Sequence, residues 1–249
     1  MILITGASSG IGEACAEVFA EAGKDLLLVA RRVQRLEKIK ARLQSAHSVK
    51  VHIAVLDVSD AEAVEKFGHA NQSLLDQITV LVNNAGLAIG LDAIQDGKPE
   101  DWDVMWNTNV KGLLYVTHLV LPKMVKKKSG HIVNMGSIAS RWTYPKGNVY
   151  SATKRAVSAL NESMRLDLNG TGVRVTEIAP GMVKTEFSDV RFGDKEKAKA
   201  VYHGVDALAP RDVAEAVAFA VSRPAHVNIQ ELVIYPTDQA APGVVTRRS

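Results

Sequence analysis

Seven short apolar runs, rich in β-branched residues, alternate along the 249-residue chain with longer segments of helical period, and this alternation restricts the fold more than any single motif. The strand-like runs are ILIT (2–5), DLLLVA (25–30), VKVHIAVLD (49–57), ITVLVN (78–83), GHIVNMG (130–136), VRVTEIA (173–179) and VNIQELVIY (227–235). Helical patterns fill the intervals at about 11–22, 33–45, 60–75, 100–127, 147–169 and 210–222. Parallel strands need a long crossover, and a crossover helix packs back onto the sheet through a right-handed connection. The alternation therefore predicts a doubly wound α/β fold, with about seven parallel strands and helices on both faces.

The polar stretch 186–209 interrupts this rhythm before PRDVAEAV, where Pro210 and Asp212 suit a first helical turn. It follows the sixth strand, at the carboxyl edge where ligands bind in such sheets. It reads either as a loop over a site or as a plain surface excursion. No Pro- or Ser-rich linker divides the chain, so a single domain, 1–249, is expected, with a substrate-loop insertion at about 186–209.

Composition narrows the function classes. With 47% hydrophobic and 23% charged residues the chain is globular rather than disordered. A net charge of +3, from scattered basic residues, argues against a nucleic-acid surface, and Lys126, Lys127 and Lys128 suit a solvated helix end. The single cysteine, Cys15, lies in an apolar helical stripe and has no internal partner, which suits a reducing compartment. No run reaches the ~18 apolar residues of a membrane span, and Met1 leads straight into a strand, so a soluble cytoplasmic protein is expected. Seven histidines show no metal-ligand spacing, and no metal is expected.

The first strand leads into TGASSGIG (5–12), where Gly6, Gly10 and Gly12 bare the backbone. Three readings compete. A dinucleotide pyrophosphate can rest there on the helix N-terminus, held by backbone N–H groups and the positive dipole end. Gly6-Ala7-Ser8-Ser9-Gly10 also matches a Gly-x-Ser-x-Gly nucleophile elbow, but no earlier strand exists to supply its oxyanion donor, and Gly12 is left unexplained. A tight helix entry without a ligand is the third.

Further along, YSATK (150–154) sets Tyr150 and Lys154 one helical turn apart on one face. Ser137 ends the fifth strand at the carboxyl edge, and Asn109 sits inside the 100–127 helical pattern, where a short amide is a poor helix former. With TGASSGIG, NNAG (83–86) and PGMVKT (180–185), these motifs fall in an order that resembles the short-chain dehydrogenase/reductase family over nearly the whole chain.

That resemblance implies a Rossmann-type sheet, a nicotinamide cofactor and a catalytic tetrad of Asn109, Ser137, Tyr150 and Lys154. A phenol with pKa near ~10 is a poor base at neutral pH, so Lys154 is expected to pull it down. Ser137 is expected to donate to the substrate oxygen. Asn109, by resemblance, holds a water that links Lys154 to solvent. The cofactor would meet Gly6, Ser8, Ser9, Gly10, Ile11 and Gly12 at the turn. Asp57 and Val58 would meet the adenine, although Asp57 could instead cap the next helix. Asn84, Ala85 and Gly86 would lie beside the ribose, Val183 and Thr185 would hold the nicotinamide carboxamide, and Pro180, Gly181, Tyr150 and Lys154 would also meet the cofactor.

Where an NAD-specific fold carries a carboxylate after the second strand, this chain has Arg31 and Arg32. Guanidinium groups bind a 2′-phosphate with charge-assisted hydrogen bonds, so NADP is the expected cofactor. Within the family, GNVYSATK (147–154), TEFSDVRFGD (185–194) and RPAHVNIQELVIYPT (223–237) are similar to NADP-dependent 3-hydroxy acid dehydrogenases, also described as serine 3-dehydrogenases or L-allo-threonine dehydrogenases. A general ketone or aldehyde reductase is the alternative activity, and a non-catalytic NADP-binding protein the alternative class. A 3-hydroxy acid would need a cation facing Tyr150. Arg191 is the first candidate, with Arg141, Lys146 and a mere set of solvated charges as rivals. By resemblance, helices 100–127 and 147–169 pair with their copies in a homotetramer; Leu113, Leu114, Val116 and Leu119 give them apolar residues over more than one face.

Overall fold

The computed structural model describes residues 1–248. Its seven-stranded sheet is parallel throughout, in the order β3-β2-β1-β4-β5-β6-β7. The strands are β1 (Ile2–Thr5), β2 (Leu26–Ala30), β3 (Val51–Val55), β4 (Val80–Asn83), β5 (Gly130–Met135), β6 (Val173–Pro180) and β7 (Glu231–Ile234). Helices α1 (Gly10–Glu21), α2 (Val33–Ala46) and α10 (Pro210–Val221) flank one face, and α3 (Ala61–Ala70), α6 (Gly112–Lys127) and α7 (Asn148–Asp167) the other.

Both sheet faces are covered, which explains the nearly unbroken apolar runs. Ile2, Ile4, Leu26 and Leu28 pack with Phe19, Leu36 and Val217; Leu3, Leu27 and Val29 point the other way, toward Val116, Met124 and Val157. Truncating Leu28, fully buried in an interior strand, to Ala should cost about 2–5 kcal/mol.

The sequence boundaries shift where side chains replace backbone pairing. The run 49–57 pairs only over Val51–Val55, on the sheet edge. The last run, 227–235, shortens to Glu231–Ile234, because the Asn228 amide accepts from Val175 N at 2.8 Å and donates to Val175 O at 2.9 Å, standing in for ladder bonds. Helix 60–75 divides into α3 and α4 (Gln72–Leu75). The 100–127 pattern becomes α5 (Pro99–Trp106), a π turn (Asn107–Lys111) and α6.

The stretch 186–209 is not a bare loop. It folds into α8 (Phe187–Phe192) and α9 (Lys195–Val201), separated by Gly193 in left-handed geometry (φ +60°), with Asp194 capping α9. Leu208, near its end, forms a parallel bridge with Val183, three residues before its start. The sequence pattern also misses the hairpin of β8 (Gln239–Ala241) and β9 (Val244–Val245), whose Gln239 accepts from Met182 N at 2.8 Å. The strand order reverses between β1 and β4, and the site lies above that point, at the carboxyl ends of β1, β4, β5 and β6.

Candidate active site

A cleft of about 340 Å³ runs from the glycine turn to Tyr150, lined also by Arg31, Asp57, Gly86 and Thr185. The turn needs its glycines for two reasons. Gly6 and Gly10 hold φ of +64° and +56°, and a Cβ at Gly12 would lie 2.4 Å from the carbonyl oxygen of Gly6. Helix α1 then begins at the cleft with no side-chain cap from Ser9, an arrangement suited to an anion at its N-terminus.

The turn is braced by the segment that follows β4. Asn84 donates to Thr5 O at 2.9 Å and to Gly6 O at 3.4 Å, so its amide braces the turn. The buried Thr5 hydroxyl accepts from the N–H groups of Asn84 and Ala85, each at 3.0 Å. Thr5 escapes a sequence reading because a threonine ending a strand looks like any other.

Arg32 closes over the serines of the turn. Its Nε donates to Ser8 Oγ at 3.0 Å and Nη2 to Ser9 Oγ at 2.6 Å, while Nη1 pairs with Glu186 at 2.9 Å. Ser8 thus meets a guanidinium, not a histidine, and the nucleophile-elbow alternative has no base here. Arg35, one turn into α2, pairs with the same Glu186 at 2.7 Å. Both residues were missed; an arginine three positions after Arg32 and an acid next to Thr185 are the signals that could have found them. Arg31 meets Asp57 at 3.4 Å.

Asp57 does not cap the next helix. That task falls to Asp60, whose Oδ1 accepts from Ala63 N at 3.0 Å. Asp57 accepts instead from the N–H and hydroxyl of Ser59, at 3.0 and 2.7 Å. Burial raises its pKa, but these bonds and Arg31 outweigh burial and leave it below the usual carboxylate range.

At the far end, α7 carries Tyr150 and Lys154 beneath the tip of β5. The Lys154 ammonium donates to Met135 O at 2.8 Å and lies 6.0 Å from the Tyr150 ring centre. Asn109, in the π turn, accepts from Leu87 N and donates to Leu87 O, each at 2.8 Å, and donates to Thr153 Oγ1 at 3.1 Å. The π turn displaces the helix ladder where this amide must face inward, a frequent use of π turns at functional sites. Ser137 follows β5 and accepts from Ala139 N at 3.1 Å.

The electrostatics correct one expectation. Burial pushes the Tyr150 phenol up to about 12, against a hydrogen bond from Ser137 and the positive charge of Arg191, both of which pull it down. Lys154 is not the group that lowers it. Its own pKa falls to about 8 through burial, opposed by Glu177. Desolvation is the largest influence on each group.

Of the three candidate cations only Arg191 reaches this end. Its guanidinium carbon lies 5.5 Å from the ring centres of both Tyr144 and Tyr150. It donates to Tyr144 Oη at 2.8 Å and to Gly90 O at 3.1 Å, so among the described residues its hydrogen-bond partners are neutral. Arg141 is turned away in an ion pair with Glu231, and Lys146 lies on an exposed turn at φ +64°. Phe187 of α8 packs on Tyr150, ring centres 5.6 Å apart, bringing the 186–209 segment over the cleft.

Elsewhere, Cys15 is buried with its thiol pushed up to about 12, which makes it an inert core residue. Among the described residues no group of acids, histidines or cysteines could hold a metal, and no helix is long and apolar enough to cross a membrane. Leu113 and Val116 face this chain's own core and Leu119 packs against it, while Leu114 is exposed.

A family model described as short chain dehydrogenase matches residues 1–196. The chain is 45% identical to the NADP-dependent 3-hydroxy acid dehydrogenase YdfG of Salmonella typhi, covering 100% of both chains. It is also 45% identical to sulfoacetaldehyde reductase 2 of Chromohalobacter salexigens, covering 96% of this chain and 95% of the relative. Among solved structures, the closed form of a serine dehydrogenase complexed with NADP+ superposes with a TM-score of 0.91 at 43% identity, covering 100% of this chain and 99% of that one.

Proposed function

The chain belongs to the short-chain dehydrogenase family, and on that premise we propose that it is an NADP-dependent oxidoreductase acting at the hydroxyl-bearing C3 of small 3-hydroxy acids such as L-serine, L-allo-threonine or 3-hydroxypropanoate. The observation that carries the substrate class is Arg191: a guanidinium beside the Tyr150 ring whose hydrogen-bond partners among the described residues are neutral, and which therefore suits a substrate carboxylate. Relatives at this level of identity act on carbonyl compounds or alcohols that carry an acid group, as their names say.

The residues present fit the cofactor. The uncapped start of α1 and the left-handed Gly6 and Gly10 suit a pyrophosphate, and Arg31 and Arg32 at the mouth suit a 2′-phosphate. Ile11, Gly12, Val58, Ala85, Gly86, Pro180, Gly181, Val183 and Thr185 complete the proposed contacts. When bound, the nicotinamide takes or returns the hydride.

Tyr150 handles the proton. A phenol held at about 12 keeps its proton at neutral pH, so the proton for the carbonyl oxygen is present during reduction, although so high a value makes it a weak acid. In oxidation it must accept that proton, and the Ser137 hydrogen bond and the Arg191 charge both favour the phenolate. Ser137 steadies the same substrate oxygen. Lys154, fixed on Met135 O, adds positive charge, and Asn109 fixes the Leu87 wall and α7 relative to each other.

The chain is read as one functional domain, 1–249, whose segment 186–209 covers the substrate, working in the cytoplasm as a homotetramer. The exposed Val104, Trp106 and Leu114 on α5 and α6 and Leu166 on α7 support the paired-helix assembly. Light scattering at micromolar concentration should give about four times the 26.9 kDa monomer mass, and a monomer would reject it.

The reaction class is tested with 3-hydroxypropanoate deuterated at C3 and NADP+. The NADPH formed should carry one deuterium by mass spectrometry, and unlabelled NADPH would refute hydride transfer from C3.

A further inference from the structure

Glu177 lies in the middle of β6 with its carboxylate on the α7 side and is 1% exposed. A buried carboxylate is costly unless it is paired and hydrogen bonded. Here the partners come from several elements. Ser140 Oγ is 3.3 Å from Glu177 Oε1 and donates to Ser137 O at 2.7 Å; Ser158 of α7 also hydrogen bonds to the carboxylate. Arg141 approaches Oε2 at 3.6 Å and pairs on its outer side with Glu231 of β7. Gly136 leaves the necessary room, since a Cβ there would lie 2.1 Å from Oε1. The residues on either side of Gly136 are Met135, whose carbonyl oxygen holds Lys154, and Ser137.

The other charged or titratable groups around this pair are Tyr150 and Arg191 on the cleft side of Lys154, and Arg141, Glu231 and Glu162 on the outer side of Glu177. Proton transfer at Tyr150 does not by itself call for a carboxylate in this position. We propose that Glu177 is a positioning residue of the reaction: ionised, paired with Arg141 and packed against Gly136, it backs the strand end that carries Met135 O and Ser137 and keeps Lys154 cationic from behind the strand. The inference rests on the reading of Tyr150 and Lys154 as catalytic residues. Glu177 is the charge that opposes the fall in the Lys154 pKa to about 8.

Removing a negative charge near an amine weakens its protonated form, so the Lys154 pKa should fall further in Glu177→Gln. The direct test is NMR of cofactor-free protein labelled with 13C at the lysine ε-carbon, with Lys154→Met assigning the signal. The wild-type midpoint is expected near 8, and the Glu177→Gln midpoint lower by roughly half a pH unit or more. The alkaline limb of kcat for carbonyl reduction should move down with it, while KM changes less than about twofold. Arg141→Met, at a partly exposed side chain, should shift both readouts the same way, because a buried Glu177 without its partner takes up a proton. This second variant keeps the test open should Glu177→Gln fold poorly. Titrations of both variants that superimpose on wild type would overturn the proposal. If Lys154→Met retained full turnover, the catalytic reading would fall instead, and the NMR titration would still decide whether Glu177 controls the amine.

Discussion

At the Tyr150 end of the cleft, Lys154 and Asn109 are 6% and 2% exposed, and both are tied to main-chain atoms. At the glycine-turn end, the Arg31 side chain is 67% exposed, and Arg32 and Arg35 share one carboxylate of the covering segment. Buried groups interact through little solvent, so their geometry and pKa values are fixed by the fold. The exposed arginines sit in screened, exchangeable pairs, each worth about 0–1 kcal/mol. One end is thus rigid, as the proposed proton transfer requires, and the other is exchangeable, as the proposed binding of a ligand's phosphate requires.

The largest expected effect breaks the buried end alone. Tyr150→Phe keeps the ring packed on Phe187 but removes the transferable proton, and turnover should fall by roughly 10²–10⁴. NADPH affinity, measured by fluorescence titration, should stay nearly unchanged. A Phe variant with most of its activity would end the assignment of Tyr150 as acid/base.

Arg31→Asp attacks the exposed end. It removes a phosphate partner and sets a second carboxylate beside Asp57, so NADPH should bind more than about tenfold weaker while NADH gains in relative terms. A wild-type protein that prefers NADH would contradict the role of the arginines.

Arg191→Met separates substrate charge from general activity. KM for 3-hydroxypropanoate should rise by about tenfold or more, with an uncharged alcohol almost unaffected. Equal losses on both would assign Arg191 to the shape of the covering segment rather than to a carboxylate.

The smallest effect probes exchange itself. Glu186→Gln frees Arg32 and Arg35 from a competing carboxylate, so NADPH affinity should rise by a few-fold at most. Weaker binding would mean that Glu186 acts by holding the α8 segment closed over the cofactor.

Much of the architecture was legible because parallel strands buried on both faces must be apolar throughout, and the crossover helices must repeat at their own period. The placement of Tyr150, Lys154 and Ser137 was legible for a related reason: helical spacing sets Tyr150 beside Lys154, and a strand end carries Ser137 to the sheet edge. Partners drawn from distant segments were not. Nothing in the local pattern ties Glu186 to Arg32 across 154 positions, or Asn228 to Val175 across 53. The phenol's pKa is not legible in spacing, which reports proximity and says nothing of desolvation, the largest influence at Tyr150. The helices in 186–209 were hidden by polar composition, although Asp194 and Gly193 mark a cap and a break.

On the proposed function the cleft recognises two anions, a phosphate at the exposed end and a carboxylate beside the buried one. Initial rates of reduced-cofactor formation by the wild-type protein, with NADP+ or NAD+ and with 3-hydroxypropanoate or 1-propanol, test both in one experiment. High kcat/KM is expected only for NADP+ with the hydroxy acid, and a drop of tenfold or more when either anion is removed, about what one lost charge-assisted contact gives. Comparable kcat/KM for 1-propanol, or for NAD+, would contradict it.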